Sequence, residues 1–190
     1  MRLRSPRVKP VEIADETAEQ EAILESLNEV ARSMNLFRTS LKSPTCMKAQ
    51  MVWSNYVGSR KTNEVPWREK ELVILRISFL CRSGYEWSHH RRLAVPAGLS
   101  EDEILAIKDC NNTHQWSEKD AALIRMCDEL VQDHFVTDET WARLCADFSE
   151  KQCMDLVYTA SHYTMVSMFT NSFGVQPDDG VPVDDELFAL

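Results

Sequence analysis

Residues 71–92 read Glu71-Leu-Val-Ile-Leu-Arg76-Ile-Ser-Phe-Leu-Cys81-Arg82-Ser83-Gly84-Tyr85-Glu86-Trp87-Ser-His89-His90-Arg91-Arg92. In the first half, Leu72, Val73, Ile74, Leu75, Ile77, Phe79 and Leu80 surround two charges, Glu71 and Arg76. A helix that is apolar on nearly every side is a buried helix. Charges inside it have to be paired or held at a site. Ser83-Gly84 then marks a tight junction, and a second helix is expected from Tyr85 to about Ala94. On that helix Glu86 and His90 stand four apart and share a face, with Tyr85 and His89 on an adjacent one.

Working outward, the helical signals continue and strand-like alternation is scarce, so the fold class is all-α. Thr17 with Gln20 forms a capping box ahead of a stripe of Ile23, Leu24, Leu27, Val30, Ala31 and Met34, read as one helix. Ser43-Pro44 opens a helix carrying Met47, Met51 and Tyr56 towards Gly58. Pro66 opens the buried helix, Trp67 to about Arg82, and Pro96-Ala97-Gly98 closes its successor. Ser100 with Glu103 caps a short helix ending near Lys108, and Asn111-Asn112-Thr113 is a loop. Ser117, Thr137 or Asp138, and Ser149 with Gln152 start three more helices, the last running towards Gly174. This gives an extended segment over 1–14, a helical domain over 15–175 and an acidic, Pro-containing tail over 176–190, extended and placed to wrap a neighbour.

A length of 190 residues fits one domain, and 44% apolar residues supply a core. The formal net charge of −9 argues against nucleic acid and against an anionic membrane surface. It leaves room for an anionic small substrate, because a few local arginines outweigh the global sign. No apolar run reaches bilayer length, and the basic start has no apolar stretch behind it. The six cysteines, Cys46, Cys81, Cys110, Cys127, Cys145 and Cys153, include no C-x-x-C pair. A reduced, cytoplasmic setting is the expectation.

A carboxylate beside an imidazole raises the histidine pKa and fixes its orientation, which suits general acid/base work. The competing reading of Glu86 and His90 is a surface or interface pair. No compact three-ligand spacing calls for a metal. His162 and Tyr163 are weaker candidates, with His162 read as a packing histidine and Asn171 as a C-terminal cap. His114 and His134 are expected near solvent. Cys81, without a partner, reads as structural.

The run ELVILRISFLCRSGYEWSHHRRLAVPAGLS, starting at Glu71, resembles the carboxymuconolactone decarboxylase and alkylhydroperoxidase D-like superfamily. In the redox branch of that family a Glu is followed by a Cys twelve later, a Cys three after that and a His four further on. Counted from Glu71, those places fall on Ser83, Glu86 and His90. Glu and His are kept and both cysteines are replaced. Neither Ser nor Glu can attack a peroxide or resolve a sulfenic acid, so peroxidase activity is not expected. The resemblance to the non-redox branch implies an AhpD-like helical fold, a homo-oligomer (trimer, hexamer or dimer) with pockets near subunit contacts, and no cofactor. It implies a decarboxylase of a small carboxylated lactone or related cyclic substrate, with His90, Glu86 and Glu71 catalytic and Arg76, Tyr85, Trp87, His89 and Ser83 binding substrate. Isomerisation, dehydration or cyclisation in secondary metabolism would use the same residues. A non-catalytic helical oligomer or binding protein is the other reading. Sequence leaves open His89 against His90, and whether Glu71 is a base or the partner of Arg76.

Overall fold

A computed structural model describes residues 2–109 and 114–184. Ten α-helices and one short 3-10 turn make up the regular structure, with no strand among the described residues. They are α1 (Ala18–Glu25), α2 (Glu29–Ser33), α3 (Asn35–Ser40), α4 (Pro44–Gly58), α5 (Trp67–Leu80), α6 (Gly84–Ala97), α7 (Glu101–Ala106), α8 (Glu118–Asp133), α9 (Asp138–Asp147) and α10 (Glu150–Phe173). Helix α5 is the axis of the domain and packs against α6, α8 and α10. Its Leu72, Val73, Leu75 and Ile77 are fully buried, in one core with Trp87, Leu123, Met126, Leu144 and Leu156. A smaller core joins Val11, Ile23, Leu24, Leu41 and Met47.

The helix starts follow the side chains read as caps. Thr17/Gln20, Ser100/Glu103 and Ser149/Gln152 each form a reciprocal capping box. Ser83, Ser117 and Thr137 accept from the backbone N–H three residues on. Two boundaries differ from expectation. The apolar stripe from Ile23 to Met34 is not one helix but α1 and α2. The Ser26 hydroxyl donates to the Ile23 carbonyl and Asn28 caps Ala31, so two local polar groups outcompete helix continuation. Pro96 lies inside the last turn of α6, and the helix ends one residue past it, at Ala97, with Gly98 as the C-cap at φ +109. The loop expected at Asn111-Asn112-Thr113 falls outside the described residues.

The α5–α6 junction is tight because it is a Schellman turn. Arg82 N–H donates to the Phe79 carbonyl and Ser83 N–H to the Ser78 carbonyl. Arg82 itself sits at φ 53, in the left-handed region. Ser83 then caps α6, so the two helices abut with no loop between them. This fixes how far along α6 each side chain lies relative to α5.

Both ends of the chain fold back on the domain. Arg7 and Val8 N–H groups donate to the Phe173 carbonyl, and Gln176 reaches the Leu3 carbonyl. At Gly174 (φ +70) a Cβ would lie 3.0 Å from both Leu3 and the Ser5 carbonyl, so the N-terminal segment crosses where only glycine fits. The tail to residue 184 lies on its own chain: Asp178 accepts from the Asn35 backbone N–H at 2.6 Å and from the Tyr85 hydroxyl at 3.1 Å.

Candidate active site

Helix α5 presents Glu71 and helix α6 presents Glu86 and His90 to one another, in a region walled by α10. Glu71 uses both oxygens. Oε1 accepts from the Trp67 indole N–H at 3.0 Å, and Oε2 lies 2.8 Å from His90 Nδ1. A carboxylate oxygen accepts, so Nδ1 carries the hydrogen and Nε2 is left as the reactive nitrogen. That nitrogen faces Glu86 Oε2 at 3.8 Å, one helical turn back. The other Glu86 oxygen is buried and has no hydrogen-bond partner. Glu71 and Glu86 are buried, whereas the His90 side chain is 14% exposed and forms the accessible edge of the group.

This environment sets opposite demands. Burial pushes Glu86 up to about 7, with the His90 charge only partly opposing it. Burial also pulls His90 down, but the hydrogen bond and charge of Glu71, joined by Glu86, outweigh it and raise His90 above its ordinary value. Around neutral pH the two therefore compete for a proton, which is the condition for passing one in either direction.

Helix α10 supplies two further groups. Tyr163 meets the His90 ring edge-on, centroids 4.8 Å apart. Burial, then Glu86 and Glu71, raise its hydroxyl well above the ordinary range, so it stays a hydrogen-bond donor. His162 packs edge-on against Tyr163 at 5.1 Å. Its Nδ1 is buried without a partner, which corrects its reading as a satisfied packing histidine. Burial, and then the charge of His90, lower it to about 4, so it is neutral. The sequence signal for Tyr163 was an aromatic residue among small polar ones on an apolar helix. Nothing local tied it to His90, which is 73 positions away by the numbering.

The remaining residues expected at a site divide into groups. Tyr85 and His89 do share a face, their rings 4.3 Å apart, but both turn to the tail: Tyr85 donates to Asp178 and His89 Nε2 stands 3.3 Å from the same carboxylate. Burial lowers the pKa of His89, Asp178 raises it, and His90 and Arg92 lower it. Arg76 does not join the group. Its guanidinium is bound in a fork by Asp128 at 2.7 and 3.0 Å and donates to the Ile107 carbonyl at 2.6 Å. Arg76 lies five positions on from Glu71, which turns it well round α5, so it ties α5 to α8 and is not paired with Glu71. Trp87 is fully buried in the core, its N–H on Asp184 and Lys108 over its ring, so it has no surface to offer a substrate. Ser83 caps α6, and its hydroxyl lies 3.1 Å from Thr170. Asn171 caps not its own helix but α5, donating to the Cys81 carbonyl. Among the described residues no three of His, Cys, Asp and Glu are placed to hold a metal ion.

Comparison with known proteins gives the same frame. Residues 48–124 match the model of the carboxymuconolactone decarboxylase family. A putative antioxidant defence protein AhpD of unknown function from Agrobacterium tumefaciens is similar with a TM-score of 0.65 and 22% identity, over 76% of this chain and 96% of that one. An uncharacterised peroxidase-related protein from Ralstonia eutropha JMP134, described as an alkylhydroperoxidase AhpD core, gives 0.67 and 14% identity over 97% and 95%. The debrominase Bmp8, solved with 2,3,4-tribromopyrrole, gives 0.71 and 12% identity over 93% and 94%. At these identities the likeness is one of fold. No protein of curated function matches the chain. Glu71, Glu86 and His90 thus lie within the stretch that matches the carboxymuconolactone decarboxylase family model, in a chain with an AhpD-like all-helical fold.

Proposed function

We propose that the chain is an acid/base enzyme that removes CO2 from a small carboxylated lactone or related cyclic molecule, with no organic cofactor or metal. One observation carries this reading: His90 is oriented by Glu71 at 2.8 Å while its other nitrogen faces Glu86, a carboxyl group held at a pKa of about 7. Loss of CO2 from a carboxylate next to a carbonyl leaves an enolate. His90 or Glu86 then delivers its proton to carbon and recovers one from water. Tyr163, held as the phenol, donates to the enolate oxygen as charge builds there. The substrate enters over the exposed edge of His90 and exchanges contacts with the Tyr85–His89–Asp178 group beside it.

The same residues serve isomerisation, dehydration or ring closure in secondary metabolism, where a proton leaves one carbon and reaches another atom without CO2 loss. A homo-oligomer fits the exposure of Leu93 (43%) and Val95 (49%) on α6, just past His90, because two apolar side chains beside a site favour a covering subunit. The reading is tested by supplying carboxylated γ-lactones to wild type and to His90→Gln and measuring CO2 release. Release by wild type and its loss in the variant support the lyase. Substrate conversion without CO2 supports the isomerase or cyclase. No conversion and no shift of the His90 resonances across the panel would leave a helical oligomer without catalysis.

A further inference from the structure

The chain lacks the paired cysteines of the redox branch at positions 83 and 86, yet two cysteines meet elsewhere. Cys145, near the end of α9, and Cys153, in the first turn of α10, are eight residues apart in sequence. Their Sγ atoms lie 3.8 Å from one another. Both are free thiols; Cys145 is exposed and Cys153 fully buried. The chain turns back on itself between them through Phe148 and the capping residue Ser149, and this corner holds the two sulfurs in van der Waals contact. A disulfide needs about 2.05 Å, so the two sulfurs have to approach by less than about 2 Å to bond. The polar partners of the two sulfurs are each other and, for Cys153, the Phe148 carbonyl.

We infer that Cys145 and Cys153 form a second reactive site, a dithiol that is oxidised to an intramolecular disulfide by hydroperoxides. The asymmetry of exposure assigns the roles. Cys145 is the thiol a peroxide reaches. Its thiolate attacks the terminal peroxide oxygen, the O–O bond breaks, and the alkoxide takes a proton to leave as an alcohol, giving a sulfenic acid on Cys145. Cys153 then attacks that sulfur. The S–S bond forms, the S–OH bond breaks, and the Cys153 proton leaves with the hydroxide as water. Two thiols and one hydroperoxide become one disulfide, one alcohol and one water. Burial, and then the neighbouring Cys145 and Glu150, hold Cys153 up to about 12. It is thus a thiol at neutral pH, shielded from direct oxidation and reactive only towards an electrophile already formed beside it. Restricting its reach to one sulfur is what contact at this distance provides.

The sequence makes the test direct. Trypsin cuts after Arg143 and Lys151, so Cys145 falls in peptide 144–151 and Cys153 in peptide 152–190. The folded protein is treated with one equivalent of tert-butyl hydroperoxide, alkylated, denatured and digested. The inference predicts the two peptides joined, lighter than their sum by two hydrogens, and separated again by dithiothreitol. In Cys153→Ser, which changes one buried atom, a dimedone-reactive sulfenic acid should persist on Cys145 about tenfold longer or more. In Cys145→Ser, Cys153 should remain a thiol. Over-oxidation of Cys145 with Cys153 still free in the wild type would overturn the inference. So would a linkage found only between separate chains in a mixture of isotope-labelled and unlabelled protein.

Discussion

His90 Nδ1 lies 2.8 Å from Glu71 Oε2 across the interface of α5 and α6. The bond exists because a Schellman turn at Arg82 and a cap at Ser83 join the two helices without a loop. In the proposed acid/base reaction it makes Nε2 the nitrogen that acts, and Glu71 a positioning residue. Glu71→Gln keeps the size and still accepts from Trp67, but weakens the hold on His90. Turnover should fall by roughly 10 to 100-fold with the fold intact by circular dichroism, and the His90 titration should move down because Glu71 raises it.

Glu86 gives stability a pH dependence of known sign. Its ordinary pKa is 4.5 and its folded value about 7, so the folded chain holds a proton that the unfolded chain releases between those values. Stability therefore falls as pH rises through 4.5 to 7 and levels off above. The difference corresponds to about 3 kcal/mol. Glu86→Gln removes this slope. Denaturant titrations should find the variant more stable than wild type at pH 8, with the advantage shrinking towards pH 5.

His162 acts in the opposite direction. Held at about 4 when folded, against 6.5 when free, it costs stability as pH falls through 6.5 to 4. His162→Gln should flatten the acid side of the stability profile.

Arg76 was legible as a buried charge but not as to its partner. Its fork to Asp128, 52 positions on, depends on how α5 packs on α8. Arg76→Met leaves Asp128 and the Ile107 carbonyl without their donor and should cost about 3 kcal/mol. That is roughly 6 to 12 °C in Tm. The activity of the protein that remains folded should be unchanged, whereas a substrate arginine would raise KM.

The same contrast runs through the whole chain. Caps and i, i+4 pairs involve neighbours within one turn, so Thr17/Gln20, Ser100/Glu103 and Glu86/His90 were readable from spacing. The break at Ser26–Asn28 depended on local hydroxyl and amide bonds competing with a helical stripe. Tyr163, Asp178 and the partners of Arg76 and Trp87 reach their places only through the tertiary fold, and no periodicity encodes that. The meeting of Cys145 and Cys153 likewise needs the α9–α10 corner, because eight residues of continuous helix would separate them by about 12 Å.

Arg82 holds a left-handed conformation that costs an L residue about 1 kcal/mol or more and glycine little. Arg82→Gly should stabilise the junction by about 0.5 to 1 kcal/mol after allowing for the more flexible unfolded chain, seen as a rise of roughly 1 to 4 °C in Tm.

The most direct test of the acid/base account is the fate of a proton. Wild type and His90→Gln are given a carboxylated γ-lactone in deuterium oxide, and the product is analysed by mass spectrometry and NMR. The account predicts that wild type releases CO2 and places one deuterium on the carbon that bore the carboxylate. The folded variant should be slower by about 100-fold or more. Equal rates in the two proteins would contradict it, because the proton would then come from a group other than the one Glu71 and Glu86 surround.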